Sequence, residues 1–305
     1  SGNHPVSISY DFAARRDGAR QGTTSLRHEP LDLDSYRLLD DARKVQCTSC
    51  HDPHDDPASM GADVPPFWCG ASFDEVCTAC HVAPVVHGGH APPSLPSACG
   101  GCHVGHGVPQ QPLLPEGEEE ACYGCHGHGD ERQEARDAGR IAPMARPALV
   151  GPQFDRPYRH PVEATWLVHD PAEEKGRAGN STQRHVECVD CHPIHGEPIS
   201  RAPQAFRTLG AAPAPALGDR PEHETCYDCH AGGASLPYGM WDKAAEFNPS
   251  NESYHPVEAP NGRRSVPSLR SPWLSGDRMT CSDCHGSDDE DDPRGPHGSR
   301  NPFIL

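Results

Sequence analysis

The sequence predicts a chain with little regular secondary structure: short helices at a repeated cysteine motif, joined by long coil and loop segments around a core that side chains do not supply. Three observations predict it. Hydrophobic residues are only 34% of the 305 residues and aromatics 6%, with a mean hydropathy of -0.71, which is little to bury at this length. There are 34 prolines and 30 glycines, a composition that ordinarily leaves a chain disordered. The third observation is that 14 of the 15 cysteines fall into seven Cys-x-x-Cys-His segments.

Those segments are Cys47-Cys50-His51, Cys77-Cys80-His81, Cys99-Cys102-His103, Cys122-Cys125-His126, Cys188-Cys191-His192, Cys226-Cys229-His230 and Cys281-Cys284-His285. Composition alone gives about 0.05 chance occurrences of the pattern, which is the signature of covalent haem c attachment. Two thioether bonds fix the haem vinyl positions to one short turn, and the next residue brings its imidazole to the iron. Zinc sites use two cysteine pairs per metal and do not require a histidine after each pair. A disulfide framework leaves the histidines unexplained. Seven haems, large and apolar, are therefore the expected cofactors and the expected core, which makes the chain a haem-cored multihaem cytochrome c. Cys69, in FWCG, is left over and reads as a buried free thiol.

The sixth ligand of each iron separates charge transfer from catalysis, because an iron with two imidazoles is closed to substrate. The chain has 21 histidines, and removing the seven in motifs leaves twice the number needed for bis-histidine ligation throughout. Four methionines in unrelated settings make methionine ligation a poor alternative. His4, His160 and His255 each open a His-Pro-Val segment, where the proline restrains the chain and helps to aim the ring. His54, His106 and His195 follow a motif histidine by three residues, so that one ring of each pair can ligate its own haem and the other a neighbour. In VVHGGHAPP either His87 or His90 is a candidate; His90 is preferred because HAPP is similar to the His-Pro settings. His297 sits in a tight GPHGS frame. These are eight contenders for seven places, so one is surplus if every ligand is internal. His185 and His28 are reserves, and His128, His169 and His223 read as surface residues or propionate partners.

The formal net charge is -18, and haem propionates add to it, which disfavours nucleic acid and anionic membrane surfaces as partners. No apolar run of 18 residues exists, so no membrane span is expected. Ser1 follows no visible leader. Covalent haem c attachment takes place outside the cytoplasm, so a removed leader is expected.

Motif spacing divides the chain into a four-haem part over 1–130, a linker over 131–159 and a three-haem part over 160–305. The linker opens on DERQEARDAGR, which predicts a helical turn or two. HPVEA recurs at 160–164 and 255–259, each copy followed by Cys-x-Asp-Cys-His, and CYGCH and CYDCH each follow an acidic stretch. The run SDDEDDP at 287–293 reads as a solvated acidic loop with a cation site as the alternative.

HPVSISY, KVQCTSCHDPH, HVECVDCH and CSDCHGSD with the later GPHGS together resemble the doubled-CXXCH multihaem cytochromes, including the extracellular cytochrome filament (nanowire) subunits of metal-reducing bacteria. The resemblance implies an extracellular electron-transfer protein, not an enzyme, that self-associates into a conductive filament and exchanges electrons with other cytochromes or extracellular metal oxides. It also implies that one distal histidine can come from a neighbouring subunit. A soluble periplasmic electron shuttle is the alternative, and an oxidoreductase with one open haem a more distant one. Multihaem nitrite reductases carry a lysine in one motif, and no Cys-x-x-Cys-Lys occurs here.

Overall fold

A computed structural model describes residues 4, 6–19, 26–31, 33, 37–61, 64–82, 85–86, 90, 97–108, 113–114, 117–162, 186–192, 194–196, 221–232, 236, 241–260, 266–270 and 273–304. Among them the helices are α1 (Tyr10–Ala19), α2 (Phe73–Cys80), α3 (Glu118–His126), α4 (Gly129–Asp137), α5 (Gly151–Phe154), α6 (Cys188–Cys191), α7 (Glu222–His230) and α8 (Lys243–Glu246). Tighter 3-10 turns cover Cys47–Ser49, Pro57–Met60, Cys281–Asp283 and Pro302–Ile304. Two-residue strands pair antiparallel: β1 (Ile8–Ser9) with β2 (Lys44–Val45), β3 (Val85–Val86) with β5 (His195–Gly196), and β4 (Tyr158–Arg159) with β6 (Gly298–Ser299). The fold is therefore the coil-rich one that the composition predicts, with helical turns at the motifs.

The motif is itself a turn of helix. The backbone N–H of the histidine bonds to the carbonyl of the first cysteine at 3.1 Å in His51, 2.9 Å in His81 and His103, and 2.8 Å in His192 and His285.

The described chain forms two compact units. One comprises Ser1–Ala121, Gln133–Arg146 and Ile194–Pro198; the other comprises Cys122–Arg132, Pro147–Pro193 and Ile199–Leu305. This partition cuts across the division by motif spacing: motifs one to three fall in the first unit and motifs four to seven in the second.

In the first unit a small apolar cluster gathers Leu33, Leu38, Trp68, Val76 and Ala79, with Cys50, Cys69, Phe73 and Cys80 packed against it. Helix α2 presents Val76 and Ala79, three residues apart, to that cluster. Ser72 caps the helix, accepting from the Glu75 N–H at 3.2 Å, and Asp74 and Glu75 suit its positive end. Trp68 stacks on Phe73 at 5.1 Å and donates its indole N–H to the Ser72 carbonyl.

Among the described residues of the second unit, an arginine gathers several acidic groups. Arg156 is buried and meets Asp288 at 3.4 Å, Asp289 at 3.5 Å and Asp292 at 2.5 Å. Ser299 Oγ donates to Asp288, and the Arg300 N–H donates to the same carboxylate at 2.9 Å. Within 287–293 Asp289, Glu290 and Asp291 are exposed, as a solvated acidic loop requires, whereas the Asp288 side chain is only 7% exposed and takes its cation from Arg156 in the motif-free stretch. A carboxylate withdrawn from water, as Asp288 is, is stable only when it is paired.

The HPVEA repeat is structural as well as sequential. Val162 and Val257 are both buried, and each donates its N–H back to the histidine carbonyl two residues earlier, at 3.0 and 2.7 Å. The proline carbonyls then accept from Val186 at 3.1 Å and Met279 at 2.9 Å, residues two places ahead of Cys188 and Cys281. Each copy thus docks against the entry to a motif.

Candidate haem centres

Six of the seven motifs are built in one of two ways. In motifs one, five and seven a short turn is closed by reciprocal capping around the first cysteine. The Gln46, Glu187 and Thr280 N–H groups donate to the side chains of Ser49, Asp190 and Asp283, at 2.8, 3.0 and 2.7 Å. In motifs two, four and six the cysteines end a longer helix, α2, α3 or α7, that opens on acidic residues.

A helical motif clamps the next turn motif. Asp74 of α2 accepts from Ser97 Oγ at 2.6 Å, the Ala98 N–H at 2.8 Å and the Cys99 N–H at 2.8 Å, so it caps motif three. Burial pushes the Asp74 carboxyl up, but these hydrogen bonds outweigh it and hold the group below the ordinary carboxylate range. Glu222 of α7 likewise accepts from Ser282 N–H and Oγ at 2.7 and 2.8 Å, inside motif seven.

The clamps bring first cysteines together. Cys77 is hydrogen-bonded to Cys99, and Cys226 to Cys281; these contacts, then burial, hold the Cys77 and Cys226 thiols up. The sulfurs of Cys122 and Cys188 lie within 4.8 Å of each other, as do those of Cys226 and Cys281. Such a cluster could be mistaken for a metal site, but each sulfur belongs to a thioether-forming motif.

Four motif histidines face a second histidine. His81 faces His4 with ring centroids 6.2 Å apart, His51 faces His106 at 6.3 Å, His230 faces His160 at 6.2 Å, and His192 faces His297 at 6.0 Å. An imidazole nitrogen binds a transition metal at about 2 Å, and the ring centre lies about 1 Å behind it, so trans imidazoles on one metal stand about 6 Å apart. The observed gaps fit one iron each. In every pair the second ring is one that the His-Pro-Val, CHxxH or GPHGS setting marks in the sequence.

The outer ring nitrogens are occupied. Nδ1 lies 2.9 Å from the Pro66 carbonyl in His51, 2.8 Å from Ala148 in His126, 2.6 Å from Pro296 in His160 and 2.9 Å from Phe303 in His285. A carbonyl only accepts, so Nδ1 carries the proton and Nε2 is left as a ligand. Burial lowers the pKa of His160 and of His230, and it pulls His297 down to about 4. All three rings are thus kept in the neutral form that binds metal.

The other predicted residues lie as follows. His54 is 91% exposed at its side chain, with Nδ1 3.2 Å from Asp52. His90 is partly buried, and His255 is exposed with its ring 6.4 Å from that of Phe247. The backbone of His195 pairs with Val86, while its side chain lies outside the described residues, as do His87, His169 and His185. His28 is exposed beside Glu29, His128 binds Asp155 at 3.0 Å, and His223 lies 5.4 Å from the Tyr227 ring. Cys69 packs against the first unit's apolar cluster and points its thiol at the Ser49 carbonyl 3.5 Å away; burial pushes it up to about 12, as an inert thiol requires.

Residues missed by the sequence reading are the clamps Asp74 and Glu222 and the Nδ1 partner Gln153. An acidic residue three or four places ahead of the first cysteine was the available signal for the clamps. No sequence signal marks Gln153.

A family description, the doubled CXXCH motif, matches residues 90–131, which span the third and fourth motifs. No curated protein and no solved structure matches the chain. The motifs, their helical turns and this match together identify a c-type cytochrome of several covalently bound haems that serves electron transfer.

Proposed function

We propose that the chain carries seven haems, one per motif, in a series closed to substrate by bis-histidine ligation, and that it acts as the subunit of an extracellular conductive filament. The observation that carries the reading is the set of four facing histidine pairs at the separation one iron requires. His51 with His106, His81 with His4, His192 with His297 and His230 with His160 would hold four irons. His54, His90, His195 and His255 are then the candidates for His103, His126 and His285. The haem supplies a one-electron couple. The chain's residues hold the rings neutral and fix their tautomers, and an iron held by two imidazoles would carry charge without binding substrate.

Attachment points adjacent in sequence are also adjacent in space within each unit. Cys50 lies near Cys77 and Cys80, and Cys77 touches Cys99. Cys191 lies near Cys226, which touches Cys281. Haems so attached form a series through which electrons hop. The surplus of acidic groups suits cationic or metal-bearing partners, whether cytochromes or metal oxides.

Intact mass spectrometry of the secreted protein tests the haem count: seven covalent haems are expected, and fewer would sink the count. Electron microscopy of the same unfixed material tests the filament. Long fibres with a regular repeat are expected, whereas discrete single subunits would leave a periplasmic or secreted shuttle in its place.

A further inference from the structure

Gln153 is fully buried, with 0% exposure, in the stretch that carries no motif. Its Nε2 donates to Ser287 Oγ at 2.6 Å and to the Pro293 carbonyl at 2.8 Å, and Ser287 Oγ donates to that carbonyl at 2.5 Å. The Pro293 carbonyl can only accept, so the amide nitrogen must face it and Oε1 must face His297 Nδ1, 2.7 Å away. The ring nitrogen therefore donates, and Nε2 is left unprotonated on the His297 ring, whose centroid lies 6.0 Å from that of His192. For His51, His126, His160 and His285 the Nδ1 partner is a backbone carbonyl, which substitution cannot remove. For His297 it is a side chain, and one whose own donors are locked.

We propose that Gln153 is the positioning residue that fixes the His297 tautomer and sets the potential of the haem held between His192 and His297. A hydrogen bond accepted from Nδ1 increases electron density on the ring and so favours ferric over ferrous iron; weakening it favours the reduced form. The inference rests on the electron-carrier reading and on this axial pair.

The test is a spectroelectrochemical titration of the holoprotein beside Gln153→Met and Gln153→Glu, with the haem spin state followed in each. Gln153→Met is expected to raise one couple by about 59 mV, a tenfold change in its oxidised-to-reduced ratio, and to leave the others in place and low-spin. Gln153→Glu, which puts a stronger acceptor at the same point, is expected to lower that same couple. No shift in either variant, or a shift of the same sign in both, overturns the proposal, since a purely structural role moves both alike. Should neither variant accumulate with haem, Gln153→Asn withdraws the acceptor by one methylene yet remains polar; an upward shift of one couple supports the role, and unchanged couples overturn it. A wild-type protein without covalent haem would overturn the electron-carrier reading itself.

Discussion

A buried imidazole binds metal only while neutral, and the surroundings of His160, His230 and His297 enforce that state by burial. His106 offers the most direct single-residue test. It lies outside any motif, so His106→Ala leaves every thioether intact and removes only the ring that faces His51. The expected outcome is an unchanged number of covalent haems with one converted from low-spin to high-spin, read by absorption and spin resonance. An unchanged low-spin spectrum would remove His106 from the ligand set. His4→Ala is expected to do the same to the haem at His81.

At the scale of elements, the unit of construction is a helical motif followed by a capped turn motif, joined by an acid from the helix. Asp74→Ala would leave the N–H groups of Ala98 and Cys99 without their acceptor, and the expected cost is about 1–3 kcal/mol of stability, measured as a lowered Tm. Glu222→Ala should act in the same direction at motif seven. The pH dependence follows from the depressed Asp74 pKa: the native state favours its ionised form. The stabilisation is fully present above the unfolded value of about 3.9 and is lost as pH falls through the lower folded value. Acid melting curves of Asp74→Asn are therefore expected to depend less on pH in that window than those of the wild type. Equal dependence would show that the clamp does not titrate.

This is also the scale that separates what the sequence makes legible from what it hides. The motifs, their helical turns, α4 after the fourth motif and four distal rings can all be read from residue types and spacing, because attachment chemistry demands them. The acceptors at Pro66, Ala148, Pro296 and Phe303 are backbone carbonyls, which any residue supplies, so no pattern reveals them. Residues 131–159 read as a linker because they lack cysteine, yet they bury Ala135, Ile141, Gln153, Phe154 and Arg156. The burial of Asp288 likewise depends on Arg156, more than 130 residues earlier, a pairing that only the folded chain creates.

For the whole molecule, a low apolar content predicts dependence on the cofactor. Among the described residues the apolar cluster of the first unit holds five buried side chains, which is small for the chain it organises. Protein made without haem attachment is expected to melt without a cooperative transition, as followed by calorimetry; a sharp transition in the haem-free chain would show that side chains suffice.

The central claim is that the haems are closed by two imidazoles and only carry charge. Low-temperature electron paramagnetic resonance of the oxidised holoprotein tests it most directly. The account predicts low-spin ferric signals alone, unchanged by added cyanide. A high-spin signal that cyanide converts would contradict it and reveal an iron open to substrate.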